Sequence, residues 1–535
     1  MSLNKQQQEA VNSNSKRLLC LAGAGTGKTH CMLSRISRLV NDGADPSSIL
    51  ALTFTNAAAF EMKQRYTASN PGQRIPEFRT FHSFCYSILL KNQNVRKALG
   101  YSAIPKVCTQ EDVKRITAQA IQSMSITLSK AKLTGKETLT PQEEAQYKLY
   151  KKQFKRLLRK ENLITFGIMC YDICRLFVQD QPYLTEYKDR FKYIFVDEFQ
   201  DTDTEQFDFI QCFPDASVTV VGDALQSIYS FRGASSAIIM DCAENGQWDV
   251  VKLYENYRSN SAICNFANEN STYARDSYRI AIHGQREGDP DSVQVFRVDK
   301  VGYGKELSSD TIELLNSFPW DTVKGTLAIL ARSNSEVDAL QAYLTDLGVP
   351  FVSGRKKLDN VYILRSVIDS EFMVDWLTTY LNADDYSNYI RYLAIEADEN
   401  PINVLLNHFG RHPKISFFLR KISTIRKIFQ TDLPRMTKLY NILKVLDVKD
   451  VMIEEEPENA KDAIDYLIRL IDGDPESNIY VGTIHSSKGL EYDTVILVGV
   501  DSYHFPLNTE ENKNLYYVGI TRAKEKLYVF KQRYR

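Results

Sequence analysis

No apolar run in this chain approaches the ~20 residues that a membrane-spanning helix needs. The opening segment, Met1 to Val11, is polar and lacks the apolar centre of a secretory signal. An excess of one charge is missing too: 66 basic and 67 acidic residues leave a net charge of −1. That balance excludes a wholly basic nucleic-acid coat and an acidic solvating chain, although a local basic groove would vanish in the sum. Nine cysteines are present, but no two are spaced Cys-x-x-Cys. An odd count without a framework suits free thiols in a reducing compartment. Cys170 and Cys174 stand one helical turn apart in an apolar run, as buried core thiols do. Repeats and low-complexity tracts are absent. These gaps leave a soluble, cytoplasmic, globular chain as the expectation.

What is present supports large cores. Hydrophobic residues make up 43% and aromatics 11% of 535 residues, too many for a disordered chain. At roughly 150 residues per domain the length corresponds to about 3.6 domains. Short apolar runs recur, each followed by a turn or a helix: Arg17–Ala22, Ile49–Thr55, Tyr193–Val196, Ser217–Val221, Thr326–Ala331 and Thr494–Val500. Strands alternating with helices predict an α/β fold with parallel sheets. Two stretches differ in character, about Lys91 to Arg190 and about Lys356 to Glu476, and both read as helical. The acidic segment Glu454–Glu458, interrupted by Pro457, reads as a loop within the second. The simplest architecture is two α/β cores, each interrupted by one helical insertion.

The chemistry begins at Arg17–Thr29, RLLCLAGAGTGKT. An apolar strand enters a glycine-rich turn, then Lys-Thr, then an amphipathic helix carrying Met32, Leu33, Ile36, Leu39 and Val40. Gly23, Gly25 and Gly27 let backbone N–H groups wrap phosphate oxygens. Lys28 brings charge to the β/γ-phosphates, and the Thr29 hydroxyl is a ligand for Mg²⁺. The strict pattern begins with glycine, whereas Ala22 holds that place here. A phosphate-binding loop needs an acid, and YIFVDEFQDT from Tyr193 supplies two at a strand end. Asp197 would hold Mg²⁺ and Glu198 would orient and deprotonate water. The residues describe NTP hydrolysis without saying what it drives.

At this point the sequence resembles the UvrD/Rep/PcrA-like superfamily 1 DNA helicases, with eight motifs in the family's order along nearly the whole chain. The resemblance implies two RecA-like P-loop cores. Residues 1–90 and 191–268 would form the first, with 91–190 as its helical insertion. Residues 269–355 and 477–535 would form the second, with 356–476 as a short helical insertion. LNKQQQEAV from Leu3 is similar to the family's glutamine motif, which puts Gln7 on adenine. The P-loop places Gly23, Ala24, Gly25, Thr26, Gly27, Lys28 and Thr29 on ATP. LTFTNAAAFEMKQR from Leu52 implies a single-stranded DNA contact through Phe54 and Asn56, and TFHSF from Thr80 another through His82. In VGDALQSIYSFRGA from Val221, Gln226 would sense the γ-phosphate while Tyr229, Phe231 and Arg232 face DNA. In LYENYRSN from Leu253, Tyr257 would stack on adenine and Arg258 touch the γ-phosphate. The run from Leu330 puts Asn334 on the DNA side. VGTIHSSKGLEYD from Val481 puts His485 there and Glu491 near the ribose. The motif from Glu510 makes Arg522 an arginine finger. Arg522 belongs to the distal core, so it completes the site only when the cores close.

The aromatic residues suit stacking on unpaired bases, worth about 1–3 kcal/mol per base and tolerant of any sequence. For Phe54, among strand residues, core packing stays open as the alternative. Lys148–Lys160 contains seven basic residues and no acid, and Lys148, Lys152, Lys155 and Arg159 share a helix face. That face fits either a duplex track or plain solvation.

The chain departs from the family in places. His30 follows the Gly-Lys-Thr where Arg is common, Ala57 replaces a frequent Lys, and Phe231 replaces the usual Trp. The usual C-terminal extension and a fused nuclease signature are not seen. The leading expectation is an ATP- and Mg²⁺-dependent 3′-to-5′ helicase and translocase acting on single-stranded and tailed duplex DNA. The alternative is a nucleotide- and DNA-binding subunit beside a separate nuclease, as in antiviral systems of the Gabija type, with little unwinding of its own. A small-molecule kinase or GTPase is excluded, because no Asn-Lys-x-Asp signature reads a base. Neither expectation includes a membrane or a small-molecule substrate other than ATP.

Overall fold

A computed structural model describes residues 3–108, 110–124, 126–133, 139–229, 236–298, 307–320, 325–354, 358–368, 413–446, 457, 459–472, 477–503 and 505–532. Two six-stranded sheets organise it. The first holds β1 (Arg17–Ala22), β2 (Ile49–Thr53), β3 (Glu77–Thr80), β4 (Tyr193–Val196), β5 (Ser217–Gly222) and β6 (Asp249–Leu253). Their spatial order is β3-β2-β4-β5-β1-β6, and the pairings are all parallel. The second holds β7 (Val293–Val298), β8 (Leu327–Ala331), β9 (Val352–Ser353), β10 (Ile479–Thr483), β11 (Tyr492–Val500) and β12 (Ala523–Gln532). It is ordered β7-β12-β11-β8-β10-β9 and is also parallel. This is the parallel α/β architecture that the alternation of strands and helices predicts, arranged as the two RecA-like cores that the resemblance implies.

Parallel strands covered on both faces read as unbroken apolar runs. β1 shows the reason. Leu18, Cys20 and Ala22 pack with Met32 and Ile36 of the helix after the loop, while Leu19 and Leu21 pack into the opposite layer. That second layer continues through Phe209, Ile228 and Tyr517 to Leu330, Leu497 and Val529 of the other sheet. One apolar mass therefore links the two cores. β2 stops at Thr53 instead of reaching Thr55, because Thr55 becomes the N-cap of the next helix and accepts from Ala58 N.

Between β3 and β4 the chain is mostly helical, with one two-residue strand pair, Lys106–Val107 against Leu163–Ile164. Among the described residues of the second stretch, helices Leu358–Ile368, Pro413–Phe429, Arg435–Val445 and Ala460–Asp472 share an apolar core. Of the acidic loop expected at Glu454–Glu458, only Pro457 lies within the described residues. The basic helix runs from Pro141 to Lys160. Lys155 and Arg159 meet the buried Asp172 at 2.6 and 3.7 Å, so half of the predicted basic face is occupied within the fold. Lys148 and Lys152 remain exposed. All nine cysteines are free thiols, seven of them buried. Among the described residues no helix is long and apolar enough to cross a membrane.

Helix α1 (Lys5–Asn12) and helix α2 (Lys28–Asn41) are fastened by one buried cation. Arg35 of α2 is 3% exposed. Its Nη1 donates to Ala10 O, Val11 O and Ser13 O at 2.8, 3.1 and 2.7 Å, and its Nε to Thr219 Oγ1 of β5 at 3.0 Å. The guanidinium thus caps the negative end of α1 and ties it to the sheet. Arg35→Met strands those carbonyls in the interior and should cost about 3 kcal/mol. The expected signature is early loss of hydrogen-exchange protection in α1. Unchanged α1 protection would contradict it.

Candidate functional site

In the first sheet β4, β5 and β1 are neighbours, so the turns at their carboxyl ends meet at one edge, where open α/β sheets bind ligands. The turn after β1 is the glycine loop. Gly25 and Gly27 have φ of 69° and 79°, in the left-handed region. Gly25 is also crowded: a Cβ there would lie 2.7 to 2.8 Å from Asn256 and Arg258. Thr26 Oγ1 closes the loop onto Gly23 O at 2.8 Å, and Gly23 N reaches Leu253 O at 3.1 Å. Ala24 O accepts from Asn256 Nδ2 at 2.7 Å. Gly27 caps α2 without a side-chain bond, which leaves the helix start facing the loop as an anion-binding end.

Lys28 Nζ lies 4.0 Å from Glu198 Oε2, and Thr29 Oγ1 donates to Asp197 Oδ2 at 3.1 Å. Burial, reinforced by the Glu198 charge, pushes the Asp197 carboxyl up to about 6. Burial also opposes ionisation of Glu198, but Lys28 and Lys488 outweigh it and hold that carboxyl at about 2. Glu198 thus stands beside the positive charges, while Asp197 is the more deeply desolvated carboxyl, next to the Thr29 hydroxyl. A hydroxyl and a carboxylate oxygen side by side form a hard donor set that fits Mg²⁺. After β5, Gln226 Nε2 donates to Asp223 Oδ2 at 2.7 Å.

The residues expected to face the base converge as well. Gln7 is 3% exposed and spans α1 and the loop: its Nε2 donates to Thr26 O at 3.0 Å and its Oε1 accepts from Asn4 N at 3.1 Å. Asn4 Nδ2 also donates to the hydroxyl of Tyr257 at 2.8 Å, and Tyr257 is 40% exposed.

The second core reaches into this edge. Arg258 donates from Nε to Glu491 Oε2 at 2.7 Å and from Nη1 to Thr521 O at 3.1 Å. Lys524 sits 3.1 Å from Glu491 on its other oxygen. Arg522 is buried, donating to Val518 O, Leu490 O and Thr521 Oγ1 at 3.0 to 3.3 Å. Burial, with Arg258 nearby, lowers its pKa to about 9. Lys488 Nζ pairs with Asp201 Oδ2, donates to Gln226 O at 2.9 Å and lies 4.8 Å above the Tyr229 ring.

Of the residues expected to face DNA, three come together. The Phe54 and Tyr229 rings are nearly parallel with centroids 6.5 Å apart, and His485 lies 6.4 Å from Tyr229. His82 instead meets Phe166 edge-on at 5.4 Å. Asn334 is exposed in the first turn of a second-core helix. Phe231 and Arg232 lie outside the described residues, as does the side chain of Asn56. Sequence reasoning gave no role to Asn4, Asn256, Gln200 or Lys488. Each stands inside a recognisable motif, but a motif does not show which member bonds to which.

Comparison with known proteins agrees with this layout. Residues 3–247 match the UvrD/REP helicase N-terminal domain and residues 378–534 the UvrD-like helicase C-terminal domain. The chain is similar to the ATP-dependent DNA helicase PcrA of Staphylococcus epidermidis, 25% identical across 99% of this chain and 83% of that protein. It is similar to the putative ATP-dependent DNA helicase YjcD of Bacillus subtilis, 26% identical across 99% and 78%. It is also similar to the ATP-dependent DNA helicase Rep of Buchnera aphidicola, 24% identical across 99% and 93%. The two domain matches fall in family order and the relatives align across nearly all of this chain, so the chain belongs to the UvrD/Rep/PcrA family of superfamily 1 helicases.

Proposed function

We propose that the protein is an ATP-driven DNA helicase that moves 3′ to 5′ along single-stranded DNA. The observation that carries this reading is the cross-core wiring of the nucleotide edge. Arg258 of the first core bonds Glu491 and Thr521 of the second, and Lys488 of the second grips Asp201 and Gln226 of the first. A site whose charged parts come from two cores changes when the cores move, which is the requirement for a motor. The 3′-to-5′ direction follows from the resemblance. The relatives' names as ATP-dependent DNA helicases support the substrate pair. The division of the chain at residues 91, 191, 269, 356 and 477 is part of the same proposal.

In this reading ATP seats its phosphates on the loop from Gly23 to Thr29, with the base between Gln7 and Tyr257 and the ribose near Glu491. Thr29 and Asp197 hold Mg²⁺, which when bound neutralises phosphate charge. Glu198, anionic and beside Lys28, orients the attacking water and accepts its proton. Arg258 and Arg522 exchange their present partners for γ-phosphoryl oxygens as charge develops. Gln226 senses the γ-phosphate. Phe54, Tyr229 and His485 form the base-stacking track, joined by Asn56, His82, Phe231, Arg232 and Asn334.

ATPase rates with and without single-stranded DNA test this directly, with unwinding of 3′- and 5′-tailed duplexes in parallel. Strong stimulation and unwinding of the 3′-tailed substrate are expected. ATPase indifferent to DNA would overturn the reading, whereas stimulated ATPase with no unwinding would favour a subunit that works beside a nuclease. Lys28→Ala should abolish turnover with the circular dichroism spectrum unchanged. Arg522→Lys keeps the charge but loses the fork, and should lower kcat by roughly 100-fold or more with little change in KM.

A further inference from the structure

Gln200 has no role in the mechanism above, yet it is 0% exposed and lies two residues beyond Glu198. Glu198 itself is unusual. Its backbone is left-handed, with φ 52° and ψ 43°. A residue with a Cβ stays there only when its surroundings hold it. The main chain is pinned by Asp201 N donating to Glu198 O at 2.9 Å and by Glu198 N donating to Asp197 Oδ1 at 3.0 Å. The carboxylate is held by Gln200, whose Nε2 donates to Glu198 Oε2.

The other end of the same amide fixes its orientation. Gln200 Oε1 accepts from Asp223 N at 3.0 Å. A backbone N–H can only donate, so the amide oxygen must face Asp223 and the NH₂ must face the carboxylate. Ser227 Oγ donates to Gln200 O at 3.2 Å, tying its main chain to the same turn. Gly222 makes the room. A Cβ at that position would stand 2.7 Å from Gln200 Oε1 and 3.2 Å from Gln200 N. From Asp223 the bonds continue to Gln226 through its side chain, and from Gln226 O to Lys488 of the second core.

We propose that Gln200 is a positioning residue, whose amide holds the Glu198 carboxylate in its water-facing pose and joins that pose to the Asp223–Gln226 turn gripped by the second core. The inference rests on the reading of Glu198 as the water-orienting base. Loss of the amide leaves the phosphate loop and the base pocket untouched, so ATP binds normally. It releases the carboxylate, so turnover slows, and it cuts the route by which core closure reaches the carboxylate.

Two variants approach the amide from opposite sides. Gln200→Met removes both of its bonds at similar length, and Gly222→Ala keeps the amide but fills its place. Both should lower kcat of the DNA-stimulated ATPase roughly 10- to 100-fold, the range for residues that orient a reacting group. KM for ATP and affinity for single-stranded DNA should hold, and most of the stimulation by DNA should disappear. In a Glu198→Gln background, Gln200→Met should add almost no further loss, because the pose it maintains no longer matters. Full kcat in Gln200→Met, KM rising in step with the kcat loss, or losses that simply add to that of Glu198→Gln would each overturn the proposal. If Gly222→Ala does not fold, the Gln200→Met measurements decide alone. A wild-type chain that hydrolyses no ATP would instead defeat the reading of the site itself.

Discussion

Charges at the seam between the two sheets need partners, and two ion pairs reach across it, the more deeply buried being Asp201 with Lys488. Asp201 is 1% exposed on the first core, and its ammonium partner, Lys488, comes from the second. Burial drives the Asp201 carboxyl up to about 6 even with Lys488 pulling it down. Arg258 answers in the other direction, projecting from the first core onto Glu491. A buried charge without its partner is strongly unfavourable. The cores are therefore stable together, with these groups paired, or apart, with the groups hydrated. An intermediate separation that is dry and unpaired is disfavoured.

The strand order sets where this seam lies. Because β4, β5 and β1 are adjacent, the acid pair, the Asp223–Gln226 turn and the glycine loop emerge side by side. The helix Glu510–Ile520 of the second core lies against the same turn, where Asn514 donates to Ser227 O at 3.1 Å and accepts from the Tyr273 hydroxyl. Aromatic and nucleotide-facing groups are close for the same reason. Tyr229 is three residues beyond Gln226, so Lys488 touches the aromatic pair and the acidic edge at once.

Six strands, β1, β2, β4, β5, β8 and β11, were legible in the sequence because they read as short, mostly apolar runs. The strands that escaped notice are of other kinds. β3 reads Glu-Phe-Arg-Thr and β7 mixes polar with apolar residues, each at a sheet edge, while the interior strands β10 and β12 are interrupted by Gly482 and by Lys524, Glu525 and Lys526. The two-residue pair at Lys106 and Leu163 is too short to have a pattern. The glycine loop was legible because its chemistry is local. Its crowding by Asn256 was not, since that residue is over 200 positions away. The basic face of the helix Pro141–Lys160 was readable as charge, while Asp172, which occupies half of it, was not. Gln200 illustrates the remaining limit: its type and place were visible, but the glycine that admits it and the backbone N–H that orients it belong to another strand.

The position of β12 has a consequence for synthesis. This strand, Ala523–Gln532, lies inside the second sheet, between β7 and β11, and follows directly after Arg522. The first sheet is complete by Leu253. Domains form in the order in which they leave the ribosome, so a growing chain holds a finished phosphate loop well before the second sheet can close. Until β12 inserts, Arg522 has no fixed place, so the charged groups that the second core brings to the seam join the glycine loop only after the first sheet is already built.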